Sequence, residues 1–167
     1  LGRPTGNWSG AECGNLMAVS LPFQPFDILV TDLITGGQNY ANDVLHVYLS
    51  DVAPDVVNDT LKADIAEIAV GNGYAGSIDV NIGFSSVRKI FTFFGDSFLL
   101  TAAGGDIAQW QWIILFNEDT TVKVDPLIGF WDHGQKANIT NGNTHEILFN
   151  GSPVGTPGSF LTMLSFV

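Results

Sequence analysis

The segment GGDIAQWQWIILFNEDTTVKVDPLIGFWDHG, residues 104–134, reads as two strands joined by an acidic turn. In its first half, Trp110, Trp112, Ile114 and Phe116 alternate onto one face. Gln109 and Gln111 begin the opposite face, which Ile113 and Leu115 then make apolar as well. Side chains alternate across a strand with period two. A strand that begins amphipathic and ends apolar on both sides therefore runs from a solvated sheet edge into a core between two layers. The expectation is an all-β chain: an antiparallel β-sandwich, jelly-roll-like, with one short helix and an extended N-terminal arm.

The rest of the chain repeats the pattern. Val44–Ser50 alternates Val44, His46 and Tyr48 against Leu45, Val47 and Leu49, one fully apolar face. Strands are predicted at Ser77–Phe84, Val87–Phe94, Phe98–Ala102, Leu127–Asp132, His145–Phe149 and Ser159–Phe166. Glycine or Asn/Asp clusters separate them, and Asn141-Gly142 and Asn150-Gly151 are strong turn signals. Phe26–Leu33 is strand-like too, and Gly36-Gly37 divides it from Val44. The helix is expected over Asp59–Val70, where Leu61, Ile65 and Ile68 recur at helical spacing and Gly71 supplies a left-handed stop.

Residues 1–26 form a section of their own, an arm preceding a single sandwich domain at 27–167. Proline fixes φ and lacks a ladder donor, so Pro22 and Pro25 favour an extended run, with a short strand at Leu16–Ser20. Trp8, Phe23 and Phe26 on that arm need apolar surroundings, on the chain's own domain or on a neighbouring subunit. Aromatic rings dominate interface hot spots, which makes these three the candidate partner contacts.

Composition narrows the function. The chain has 167 residues, 46% hydrophobic and only 14% charged, which describes one well-packed domain burying roughly 70% of its unfolded surface. The formal charge is −11, and the six basic residues (Arg3, Lys62, Arg88, Lys89, Lys123 and Lys136) are scattered. Nucleic-acid binding needs clustered Lys and Arg, so no nucleic-acid partner is expected. No apolar run approaches the ~20 residues of a membrane helix, and no membrane association is expected. The start lacks both Met and a charged-then-apolar leader, suggesting processing or a missing beginning. Cys13 is the single cysteine, so neither an intrachain disulfide nor a thiolate metal cluster is available.

Chemistry-bearing motifs are sparse. Asp132-His133 resembles an acid–base pair, yet neighbours in a strand point to opposite faces, and Trp-Asp-His-Gly reads more simply as a strand end entering a turn. His46 and His145 stand singly, without ligand spacing to another His, Cys or Asp. Asn117-Glu118-Asp119 gathers carboxylates at a hairpin turn, short of the six or more oxygens a hard cation needs. The glycines at 71–73 and 104–105 lack the strand-to-helix order and the Lys of a phosphate loop. No cofactor and no metal site is expected.

Several motifs do share an order with a known family. VLHVYL at 44–49, AEIA at 66–69 leading into GNGY at 71–74, the aromatic strand 107–117, DPLIG at 125–129 and DHG at 132–134 together resemble small tailed-bacteriophage virion proteins. The resemblance covers roughly residues 40–150. It implies a non-enzymatic virion structural protein, most naturally a decoration or cement protein on the capsid exterior. Its partners would be the major capsid protein and further copies of itself, as a homo-oligomer in the particle. Two other classes remain open. One is a tail or fibre component stacking host glycan on Trp and Tyr of the loops Tyr74–Ile78 or Trp131–Gly134; the other is a glycan hydrolase using carboxylates such as Glu118 or Asp132.

Overall fold

The computed structural model describes residues 22–38, 40, 43–79, 83–87, 90–118, 122–149 and 157–163. In chain order these form β1 (Gln24–Pro25), α1 (Ile28–Thr35), β2 (Val44–Ser50), a 3₁₀ turn (Lys62–Asp64), β3 (Ile78–Asp79), β4 (Gly83–Val87) and β5 (Ile90–Asp96). They continue with β6 (Phe98–Thr101), β7 (Ile107–Glu118), β8 (Leu127–Ile139), β9 (Thr144–Ile147) and β10 (Pro157–Met163). The fold is all-β, antiparallel and sandwich-like. Its main sheet has the order β1-β8-β7-β2-β3, beside a three-stranded sheet β10-β5-β4 and a ribbon β6-β9. Trp8, Cys13 and the expected strand Leu16–Ser20 lie outside the described residues.

Both faces of the main sheet are dry, as the two-sided apolar end of β7 requires. On one face Leu45, Val47 and Leu49 of β2, Ile113 and Leu115 of β7, and Ile128 and Trp131 of β8 meet the ribbon through Leu100, Ala102, Ile147 and Phe149. On the other, Tyr48, Ile114, Phe116, Leu127 and Phe130 pack with Phe26 and Ile65. Each fully buried aliphatic or aromatic side chain stabilises the fold by about 1.5–3 kcal/mol, so β2, β7 and β8 dominate its stability.

The helix is not where periodicity places it. Residues 28–35 are helical instead of extended, and Gly36 closes the helix in the left-handed region at φ 74°. The expected helix at 59–70 reduces to the turn Lys62–Asp64. Its backbone is bound elsewhere: Tyr48 Oη donates to Ile65 O at 3.1 Å, Ser50 Oγ donates to Ala66 O at 2.7 Å, and the Ile68 N–H donates to Leu49 O at 2.9 Å. Those bonds strap the segment onto β2 as a covering layer. Lys62 Nζ completes the strap, 4.7 Å from the Phe116 ring centroid and 2.7 Å from Ser77 Oγ.

The second strand of the hairpin also departs from expectation. β8 does not end at Asp132 but runs on to Ile139 through an irregular stretch. Trp112 pairs with Asp132 while Trp110 pairs with Ala137, so His133–Lys136 bulge out of the ladder. The irregularity also breaks the alternation of β7. Trp110 joins the core face of Ile113 and Leu115, whereas Trp112 packs on the opposite face with Ile114 and Phe116.

Candidate functional site

The bulge brings together the strongest group of chemistry-bearing side chains among the described residues. Asp132 Oδ1 accepts the Gly134 N–H at 2.7 Å and the Gln111 side-chain amide at 3.0 Å, closing a turn in which Gly134 takes φ 84°. His133 Nδ1 lies 3.0 Å from Gln135 O, a carbonyl that only accepts, so this nitrogen carries the proton. The turn carries the His133 ring to Trp110, centroid to centroid 5.1 Å. His145, on β9, meets the same indole edge-on at 5.5 Å and the His133 ring at 5.7 Å.

Three strands from two layers thus converge on one aromatic cluster. Trp110 is fully buried, and its Nε1 and the His145 Nε2 are enclosed without a hydrogen-bond partner among the described residues. Burial lowers the His145 pKa, and the neighbouring His133 lowers it further, so the ring is neutral near pH 7. Sequence spacing does not reveal this group, because eleven intervening residues and a change of layer separate the two histidines.

The other sequence candidates are not assembled into a site. Glu118 Oε2 pairs with His46 Nε2 at 3.1 Å, and Asn117 Nδ2 donates to Asp43 Oδ2 at 2.6 Å, while Asp119 lies outside the described residues. No three His, Cys, Asp or Glu side chains stand together among the described residues. Tyr74 and Trp131, offered as sugar-stacking rings, are both buried, and neither face is open to a glycan. Among the described residues no helix is long and apolar enough to cross a membrane.

The arm's aromatic residues separate. Phe26 is 1% exposed, its ring 5.3 Å from Phe130, so its own domain supplies its apolar surroundings. Phe23 is half-buried, 4.8 Å from Trp131. Both are held because β1 joins the sheet edge, pairing Gln24 with Phe130 and Pro25 with Gly129. Trp8 lies outside the described residues.

Exposed apolar surface appears at a different place. Val30, Leu33 and Ile34 project from α1, and Ile34 is 81% exposed. Val122 and Val124 are exposed as well and flank Lys123, whose Nζ reaches Asp32 Oδ2 at 2.8 Å. Val30, Leu33 and Ile34 are spaced i, i+3 and i+4 and so share one face of α1, while the ion pair ties the buried Asp32 of that helix to the Val122–Val124 segment. A sequence reading that takes residues 26–33 as a strand cannot find them, since it is the helical turn of α1 that buries Leu29 and Asp32 and turns Val30 and Leu33 outward. Comparisons with protein-family models, with curated proteins and with solved structures each returned no match.

Proposed function

We propose that this chain is a non-enzymatic structural protein of a tailed-phage particle, a decoration protein on the capsid exterior that binds the major capsid protein and copies of itself. The motif order from residue 44 to residue 134 supports the virion assignment. The observation that carries the contact is the exposed aliphatic face Val30, Leu33 and Ile34 of α1, on a helix tied to the Val122–Val124 segment by the Asp32–Lys123 ion pair. A rigid sandwich presents that group without a change of fold, and contiguous exposed apolar surface marks sites of protein association. The acidic exterior suits a crowded particle surface, where like charge limits nonspecific adhesion.

The test is quantitative mass spectrometry of purified particles, giving the ratio of this chain to the major shell subunit. A fixed ratio at high copy number supports decoration. A few copies per particle would move the chain to a vertex or the tail, and absence from particles would overturn the proposal. Ile34→Glu should then abolish incorporation while leaving folding stability within about 0.5 kcal/mol of the parent, the usual range for a surface substitution.

A further inference from the structure

The geometry points to a transition-metal site at the bulge, in which His133 Nε2 and His145 Nε2 together hold one borderline divalent ion of the zinc class. Two imidazoles sharing an ion at zinc–nitrogen distances of ~2.0–2.1 Å hold their ring centroids about 5–6 Å apart. The His133 and His145 centroids are 5.7 Å apart, with the rings inclined at 60°. The Nδ1–H of His133 donates to Gln135 O, which leaves its Nε2 lone pair as the donor. That backbone bond is the kind of outer partner that orients metal-binding histidines. His145 Nε2 is enclosed and without a hydrogen-bond partner among the described residues, and a buried ring nitrogen left unpaired calls for an occupant, which its neutral lone-pair form can supply to a metal ion.

The surroundings favour a cation of this class. Trp110 walls the pair and fixes both rings by edge contact. The nearby cationic side chain, Lys136, is neutralised by Asp51 Oδ1 at 2.6 Å. Gly134 and Gln135 are exposed beside His133 and leave a route from solvent. Two nitrogen ligands with no third His, Cys, Asp or Glu among the described residues select zinc, copper or nickel over magnesium and calcium, which demand oxygen. Water completes the ion's shell, so binding is weaker than at a closed four-ligand structural site. This inference is independent of the virion proposal.

The test is calorimetric titration of the full chain with Zn²⁺ in excess Mg²⁺, which occupies the many surface carboxylates. One ion per chain is expected. His133→Gln and His145→Gln should each weaken it by more than the roughly tenfold lost with an outer partner, and His46→Gln should leave it unchanged. Because the substitutions sit in a packed cluster, side-chain NMR of the unmodified protein supplies the second readout: Zn²⁺ should move the His133 and His145 ring signals together and leave His46 in place. Absence of saturable uptake, retention of uptake in the double variant, or ring signals that stay still would each overturn the site.

Discussion

The Tyr74 hydroxyl oxygen stands 3.0 Å from the Leu49 amide nitrogen and accepts its hydrogen. A phenol thereby closes a backbone bond that a neighbouring strand would otherwise make. Among the described residues β3 pairs with β2 at His46 and Val47, and from Leu49 on Tyr74 together with the Ile68 amide takes over the strand's edge. Burial above all raises the Tyr74 pKa far beyond the usual phenol range, so the hydroxyl keeps its proton and donates it to Glu67 Oε1 at 2.7 Å. Tyr74→Phe leaves the Leu49 N–H buried and unpaired and should cost about 1–3 kcal/mol in urea unfolding. A loss below the error of such a measurement would show that the edge finds another acceptor.

The Asp32–Lys123 pair is expected to hold α1 against the β7–β8 turn. Asp32 is buried, so Lys123→Met strands its carboxylate and should destabilise the chain by about 1.5–3 kcal/mol. A double-mutant cycle with Asp32→Asn should return a coupling of about 0.5–3 kcal/mol. Coupling indistinguishable from zero would mean that the helix is held by its apolar contacts through Leu29 and Ile28.

At Gly129 the sheet and β1 approach too closely for a side chain. A Cβ there would overlap the Phe23 ring and stand 2.6 Å from Gln24 O. Gly129→Ala should cost about 1–3 kcal/mol, as overpacked substitutions do, and loosen β1 from β8. Faster exchange confined to the amides of Phe23, Gln24 and Phe26 is the expected observation, while unchanged exchange would place the strain elsewhere.

Acid should weaken the strap over the second face. Asp64 Oδ2 accepts the Thr60 N–H at 2.8 Å and the Leu61 N–H at 2.9 Å, and these bonds hold its pKa below the ordinary value of about 3.9. A carboxyl whose folded pKa is depressed binds fewer protons folded than unfolded. Its stabilisation is therefore present above the ordinary value and is lost as pH falls through the folded one. Asp55, bonded by Asn58 and Val57, acts in the same sense. Asp64→Asn should flatten the fall in Tm below pH 4. An identical acid slope in variant and parent would remove Asp64 from the account.

The central hairpin was legible because its alternation and its core are the same fact: Ile113 and Ile114 are apolar on opposite faces since both faces are covered. The helix expected at 59–70 and the strand expected at 26–33 fail for physical reasons. Leu61, Ile65 and Ile68 do fall at helical spacing, but carbonyls that a helix needs are taken by Tyr48 and Ser50 of β2, which local sequence cannot report. The run from Phe26 to Leu33 is apolar throughout, and a short apolar run fits a strand as well as a helix. Gly36, a divider by sequence, is the helix's left-handed cap. Alternation alone puts Trp110 on the wrong face, because the irregular ladder opposite it shifts the register, and only the Asp132-His133-Gly134 turn hints at that. The His133–His145 contact was out of reach, since it spans two layers.

The bulge has a consequence for how this chain tolerates change in length. β7 advances only from Trp110 to Trp112 while β8 covers everything from Ala137 back to Asp132, so the ladder already accommodates surplus chain at Gly134–Lys136. These residues are exposed, and the paired positions on either side keep their partners whatever lies between them. The fold therefore carries a built-in port: a peptide spliced in after Gln135 would emerge into solvent from a rigid sheet and leave the register of the hairpin untouched.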